Sequence, residues 1–240
     1  RYRVIDGEVA AFTYGIGGEY IGLVWEEFLS GMTRFWTAGV FDRPNITLVV
    51  PRSTNDADHS MRTWLVRFLP VKEVIWLRPG EAVRARRAWF VITTAFEDAE
   101  PCRTNFIARF LLPRILRDVR RDPSFRWGDN AMRTDANVSD VEWAATFPRK
   151  IAIIKQNKNA RHRRGFTIRG PGRQLFTSAG YTWVEDNAPF THRIALVNFA
   201  GVVATTFGSL LAMISGMYGG GERFFRPGEP LRVISLMHVG

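Results

Sequence analysis

The sequence predicts an α/β protein built from parallel sheets. Two observations carry that expectation. From Lys150 onward, short apolar runs rich in β-branched residues alternate with amphipathic stretches across short connections, the rhythm of a parallel sheet covered on both faces. The first half shows a looser version of the same alternation. A third observation makes it affordable: hydrophobic residues are 46% of 240, enough for a core at this length. Two facing Rossmann-like lobes follow as the expected architecture, residues 1–149 and 150–240.

Each element has its own warrant. Residues 20–36 place Ile21, Val24, Trp25, Phe28, Met32, Phe35 and Trp36 at three- and four-residue spacings, which predicts a helix with a buried face. The run 45–51, bounded by Pro44 and Pro51, suits a buried strand. A polar loop over 52–60 and a helix over 61–69 follow. Strands are expected at 73–77 and 88–93, separated by the Pro79-Gly80 turn. Helical spacing over 105–121 surrounds Pro113, which should kink or restart the helix. Residues 122–149 lack periodicity and read as a linker between the lobes. Beyond it the spacing predicts a strand at 150–154, a helix at 171–179 closed by Gly180, and a strand at 181–185. A helix at 191–199 and a strand at 201–205 come next. A turn at 206–209 then opens a helix to Tyr218, and 231–237 is the last strand. Trp64, Trp76, Trp89 and Trp143 lie in or near apolar runs and are expected in the core.

Residues 194–221 carry no charge, long enough to nominate a membrane span. Asn198, Thr205, Thr206, Ser209 and six glycines interrupt that stretch, and a strand–turn–helix accounts for it better. No membrane span is expected. Beginning at Arg1 rather than Met, the chain reads as a processed or trimmed piece.

Composition excludes disorder, collagen-like repeats and a disulfide scaffold. Cys102 is the only cysteine, so neither an internal disulfide nor a cysteine-based zinc site is available. The net charge is +10, carried by 29 Arg against 4 Lys, and the guanidinium is the better fork for phosphate oxygens. Residues 151–240 hold 11 basic and 4 acidic groups, against 22 and 19 before them. The excess points to an anionic partner: nucleic acid, a membrane surface or a phosphorylated ligand.

The densest basic cluster is Arg161, His162, Arg163, Arg164 and Arg169, directly after the strand ending near Lys155. Open parallel sheets bind ligands beyond the carboxyl ends of their strands, so these arginines would be delivered to the ligand side. The segment Thr205-Thr206-Phe207-Gly208-Ser209 ends a strand in a tight turn opening a helix, where free N–H groups and the positive helix end favour an anion. Together they make a diphosphate cradle, with Arg161, Arg163, Arg164, Thr206, Gly208 and Ser209 as its candidate residues. For a general base the sequence offers Asp56, Asp58 and His59 after the strand 45–51, with Glu26 and Glu27 from the first helix. Asp56-Ala-Asp58 also spells a carboxylate pair of the kind that holds a diphosphate-bound cation, but so short a match arises by chance and no metal is expected. His192, at the start of a helix, is read as a capping or packing residue rather than a ligand.

The stretch from Lys150 to Met237 resembles the carboxyl-terminal lobe of family-61 glycosyltransferases. Arg161-His-Arg-Arg-Gly-Phe-Thr stands for that family's Arg-x-x-Arg segment and Gly180-Tyr-Thr-Trp-Val-Glu185 for its Gly-Phe-x-Val strand. Gly201-Val-Val-Ala-Thr-Thr-Phe-Gly-Ser-Leu210 stands for its Ile-Val-Gly-x-His-Gly-Ala-Gly-Leu segment and Arg232-Val-Ile-Ser-Leu236 for the last strand. Tyr20–Trp36 is similar to the family's amino-terminal helix, matching at Glu26 or Glu27 and at Arg34-Phe35-Trp36. The resemblance implies a GT-B-like pair of lobes, acceptor-side in 1–149 and nucleotide-sugar-binding in 150–240. It implies inverting, metal-independent sugar transfer, with no cofactor beyond a nucleotide-diphosphate sugar, UDP-linked by expectation, as co-substrate. Partners would be that donor and a glycan or protein acceptor, in the secretory lumen (ER or Golgi) if the source is eukaryotic. Thr206 stands where the family has its motif His, and Phe207 where it has the next Gly. A catalytically degenerate relative acting as a scaffold or subunit is therefore the alternative. Nucleic acid is a weaker partner, since no RNA-binding motif with interleaved aromatics is present.

Overall fold

The computed structural model describes residues 2–12, 28–52, 56–91, 100–122, 124–127, 130–131, 139–154, 170–185, 188–206 and 230–236. The fold is mixed α/β with two four-stranded parallel sheets. The chain divides into two compact units, Arg1–Ile107 and Ala108–Gly240.

In the first unit the sheet runs β3-β2-β1-β4, with β1 Tyr2–Phe12, β2 Thr47–Pro51, β3 Glu73–Leu77 and β4 Ala82–Val91. Thr47, Leu48, Val49 and Val50 of β2 are all buried, as a central parallel strand covered on both faces requires. Val9, Ala11, Val49 and Ile75 form a core cluster, with Ile5, Leu77, Val83 and Ala85 packed against it. The β1–β4 register shifts between Ile5 and Glu8, around Gly7. Helix α1, Leu29–Thr37, buries Leu29, Met32 and Phe35. The Phe12 ring stacks on Phe28 at 5.0 Å and meets Phe35 edge-on at 5.5 Å. Gly31 lets the helix come this close: a Cβ there would collide with the Phe12 ring. Gly39, at φ +67°, then ends the helix by donating its N–H to Trp36 O.

Two expectations change in this unit. Helix α2 spans Asp56–Val66, so 56–60 belong to a helix and not to the expected loop. Acidic residues in a first turn suit the positive helix end, and the polarity that suggested a loop is that of a helix start. Strand β4 begins six residues before the expected 88–93. Among the described residues it is an edge strand with Arg84, Arg86 and Arg87 exposed, and its inward pair, Val83 and Ala85, is too short an alternation to mark it. The turn before it has Gly80 at φ +81° as anticipated. Helix α3 follows at Glu100–Phe106.

A π-helical turn, Ile107–Leu111, leads into α4, Leu112–Arg121. Pro113 explains it: the residue lacks an N–H and clashes with the carbonyl four residues back, so the chain widens there before resuming. The described residues of 122–149 are not a linker. They contribute the short hairpin β5 Arg126–Trp127 and β6 Asn130–Ala131, and helix α5, Asp140–Ala145. Ser139 and Glu142 close a reciprocal capping box at the start of α5. Trp143 and Phe147 are buried against Phe199 at 5.0 and 4.1 Å, and Phe125 packs on Phe147 at 5.8 Å. Of the four tryptophans expected in the core, Trp143 is fully buried, while Trp64, Trp76 and Trp89 are partly covered.

The second sheet runs β10-β9-β7-β8, with β7 Lys150–Ile153, β8 Thr182–Val184, β9 Val202–Thr206 and β10 Arg232–Leu236. Helix α6, Gly170–Ser178, lies between β7 and β8 in sequence, and α7, Phe190–Phe199, between β8 and β9. Gly180 closes α6 at φ +78°. These elements fall within a residue or two of their expected places. Strand β9 interrupts the uncharged stretch 194–221, and no helix among the described residues is long and apolar enough to cross a membrane.

Candidate functional site

The strand order of the second sheet makes the site. From β7 the chain passes through α6 to β8 on one side, then through α7 to β9 on the other side of β7. The β7–β9 boundary is therefore a topological switch point, where connections leave neighbouring strands in opposite senses and open a crevice at their carboxyl ends. Ile153 and Thr205 are in register across it. The strands that precede residues 155 and 207 in sequence are thus adjacent. The segments after them in the chain are the two that the sequence nominates for a diphosphate. Arg161, Arg163, Arg164, Gly208 and Ser209 lie outside the described residues.

Thr206 is described. It ends β9 opposite Leu236 of β10 and is 4% exposed. Thr205 is wholly buried, its hydroxyl donating a long hydrogen bond to Thr206 O at 3.4 Å. At the position where the resemblance places an imidazole, this chain has a covered hydroxyl with no ionisable group.

His192 sits in the first turn of α7, buried, with its Nε2 2.8 Å from Asp122 Oδ2 and its ring 4.6 Å from Phe125. Asp122 caps the end of α4. Its other oxygen accepts from the Ser124 N–H at 2.8 Å and the Ser124 hydroxyl at 2.6 Å. The Ser124 hydroxyl and the His192 ring hold the Asp122 carboxyl down at about 2. A carboxylate beside an imidazole is how a general base is oriented. Here, however, the serine bonds the carboxylate and not the ring, so the three do not form a nucleophilic triad. The arrangement ties α4 to α7, in keeping with the packing role that the sequence assigned to His192.

In the first unit, Asp58 and His59 fall within the opening turns of α2. That helix follows β2 across a short connection, and the N–H of Arg52 bonds Leu77 O where β2 and β3 end. Both residues thus follow directly on the carboxyl edge of the first sheet. Glu26 and Glu27 lie outside the described residues. Two cations escaped the sequence reading: Arg103 of α3 is buried, and Arg62 of α2 is 1% exposed with its guanidinium 5.6 Å from the Phe28 ring centre. A basic residue in a helical stretch reads as solvated, so nothing in the sequence announces its burial. Among the described residues, no group of three or more His, Cys, Asp or Glu is placed to hold a metal ion.

No protein-family model matches the sequence, and no curated protein matches it either.

Proposed function

We propose that this chain is a glycosyltransferase of GT-B-like architecture, moving a sugar from a nucleotide-diphosphate donor to a hydroxyl acceptor with inversion and without a metal. One observation supports the reading: β7 and β9, the strands that precede the arginine-rich segment and the Thr206–Ser209 segment in sequence, are neighbours at the switch point of one parallel sheet. In this reading Arg161, Arg163 and Arg164 bind the donor diphosphate, and backbone N–H groups around Thr206, Gly208 and Ser209 add donors. A base drawn from Asp58, His59 and Glu27 takes the acceptor proton. The acceptor oxygen bonds the anomeric carbon as the bond to the diphosphate breaks, and the arginines stabilise the departing charge.

The covered Thr206 favours a second reading, a degenerate transferase that keeps the donor site as a scaffold or assembly subunit. Calorimetric titration with UDP and a panel of UDP-sugars separates them. Saturable binding lost in Arg164→Ala, together with transfer or hydrolysis, supports the enzyme. Binding without turnover, with activity gained in Thr206→His, supports the degenerate relative. No binding to any nucleotide overturns both.

A further inference from the structure

A cavity of about 710 Å³ lies at the amino-terminal edge of the first sheet, in a different unit from the proposed donor site. Four cations line it, each brought by a different strand: Arg3 on β1, Arg43 ahead of β2, Lys72 ahead of β3 and Arg86 on β4. Two of them are held in place. Glu73 accepts from Arg3 at 3.0 Å. Glu8 accepts from Arg43 at 3.3 Å, from Arg87 at 2.9 Å and from the Trp89 ring N–H at 3.1 Å, while Arg43 lies 4.4 Å over the Trp89 ring. The Trp89 N–H and the two guanidiniums keep the Glu8 carboxyl below its ordinary range, so it stays a fixed anchor. A guanidinium carries five N–H donors, and each of these two carboxylate contacts occupies only part of the set.

Lys72 and Arg86 make no ion pair among the described residues and are exposed. Asp6 is the one lining carboxylate without an arginine partner there. The lining is mostly polar, which disfavours an apolar occupant. The four cations come from neighbouring strands along one sheet edge; a carboxylate ligand offers them two oxygens in one plane, whereas a phosphate or sulfate monoester offers three, enough to accept from donors on more than one strand.

We infer that this cavity binds a tetrahedral oxyanion, the phosphate or sulfate group of a monoester, with room beside it for a sugar-sized body. Gly7, on the lining, supplies a clean test, because a Cβ built there meets nothing within 4 Å and its φ is not positive. Gly7→Leu therefore adds an apolar side chain to the lining with no clash at its Cβ.

The experiment is calorimetric titration of the full chain, at fixed ionic strength, with inorganic phosphate, inorganic sulfate and acetate. Saturable binding of phosphate or sulfate is expected, weaker by about tenfold or more in the Lys72→Gln/Arg86→Gln double variant. It should also be lost in Gly7→Leu and unchanged in Arg164→Ala. Phosphate alone binding assigns a phosphomonoester, and sulfate alone a sulfate ester. Equal binding of acetate, or no saturable binding, overturns the inference. So does binding that survives the double variant but disappears in Arg164→Ala, which would belong to the arginine segment. UDP binding by the double variant should equal that of the parent chain, so this site and the donor site fail independently.

Discussion

Gly31 is a position where one methyl group decides the packing of a whole helix. The Phe12 ring beneath it is buried between Phe28 and Phe35 and has nowhere to turn. Gly31→Ala, ordinarily favourable in a helix, should here cost about 1–3 kcal/mol through overpacking. Chemical denaturation measures it, and Phe12→Ala in the same chain should relieve most of the clash. Asp122 gives the second prediction at this scale. Its folded value of about 2 lies below the ordinary 3.8, so its contribution is present above about pH 4. It is lost as the pH falls toward 2. With 35% of the side chain exposed, solvent screening leaves about 1 kcal/mol. Asp122→Ala should therefore be less stable than the parent at pH 7, and the two denaturation midpoints should converge near pH 2. The sequence could not reveal this pair, because Asp122 and His192 are far apart along the chain. Asp58 and His59 were visible as chemistry, but a helix start and a polar loop draw on the same residue types, and so their setting was misread.

Among the elements, regularity decided what could be read. The described strands and helices beyond residue 150 repeat short apolar periods and fall within a residue or two of their expected places, while the expected helix to Tyr218 lies outside the described residues. Strand β4 was found only at its apolar end, because its arginine half is exposed and only Val83 and Ala85 alternate inward there. The segment 122–149 hid for the opposite reason. Its order comes from a few large side chains, Phe125, Trp143 and Phe147, docked on Phe199 and His192, and isolated anchors leave no period. Trp143→Ala removes a fully buried indole from that cluster, so a loss of about 3–5 kcal/mol is expected. A neutral result in thermal or urea unfolding would mean that the segment is the linker its sequence suggested.

For the whole molecule, the α/β class and its parallel sheets were legible because alternation of strands and helices is a long-range pattern that survives local errors. The boundary between units was not, since it depends on which aromatic anchors dock where. Contact between α4 and α7 and the cluster around Trp143 place residues from 108 with the second sheet. A fragment 108–240 should accordingly fold cooperatively when expressed alone, whereas 150–240, stripped of Phe125, Trp143 and Phe147, should not. Circular dichroism and urea unfolding of the two fragments decide it. The switch point was likewise invisible in one dimension: Ile153 and Thr205 are some fifty residues apart in sequence, and only strand order makes them neighbours.

The exposed edge of the first sheet sets how this protein behaves in solution. Strand β4 pairs with β1 on one side only among the described residues, and presents Phe90, 64% exposed, next to Arg84, Arg86 and Arg87. Such an edge is a template for joining another strand, and charge is the means of keeping strangers away. Guanidinium does not titrate at any pH where the fold survives, so acidity cannot lower that guard. Electrolyte can, because mutual repulsion between copies fades as the Debye length shrinks from about 10 Å at 0.1 M to about 3 Å at 1 M. The chain should stay dispersed across a wide range of buffers and begin to self-associate when salted, the reverse of a protein whose clustering is governed by its isoelectric point.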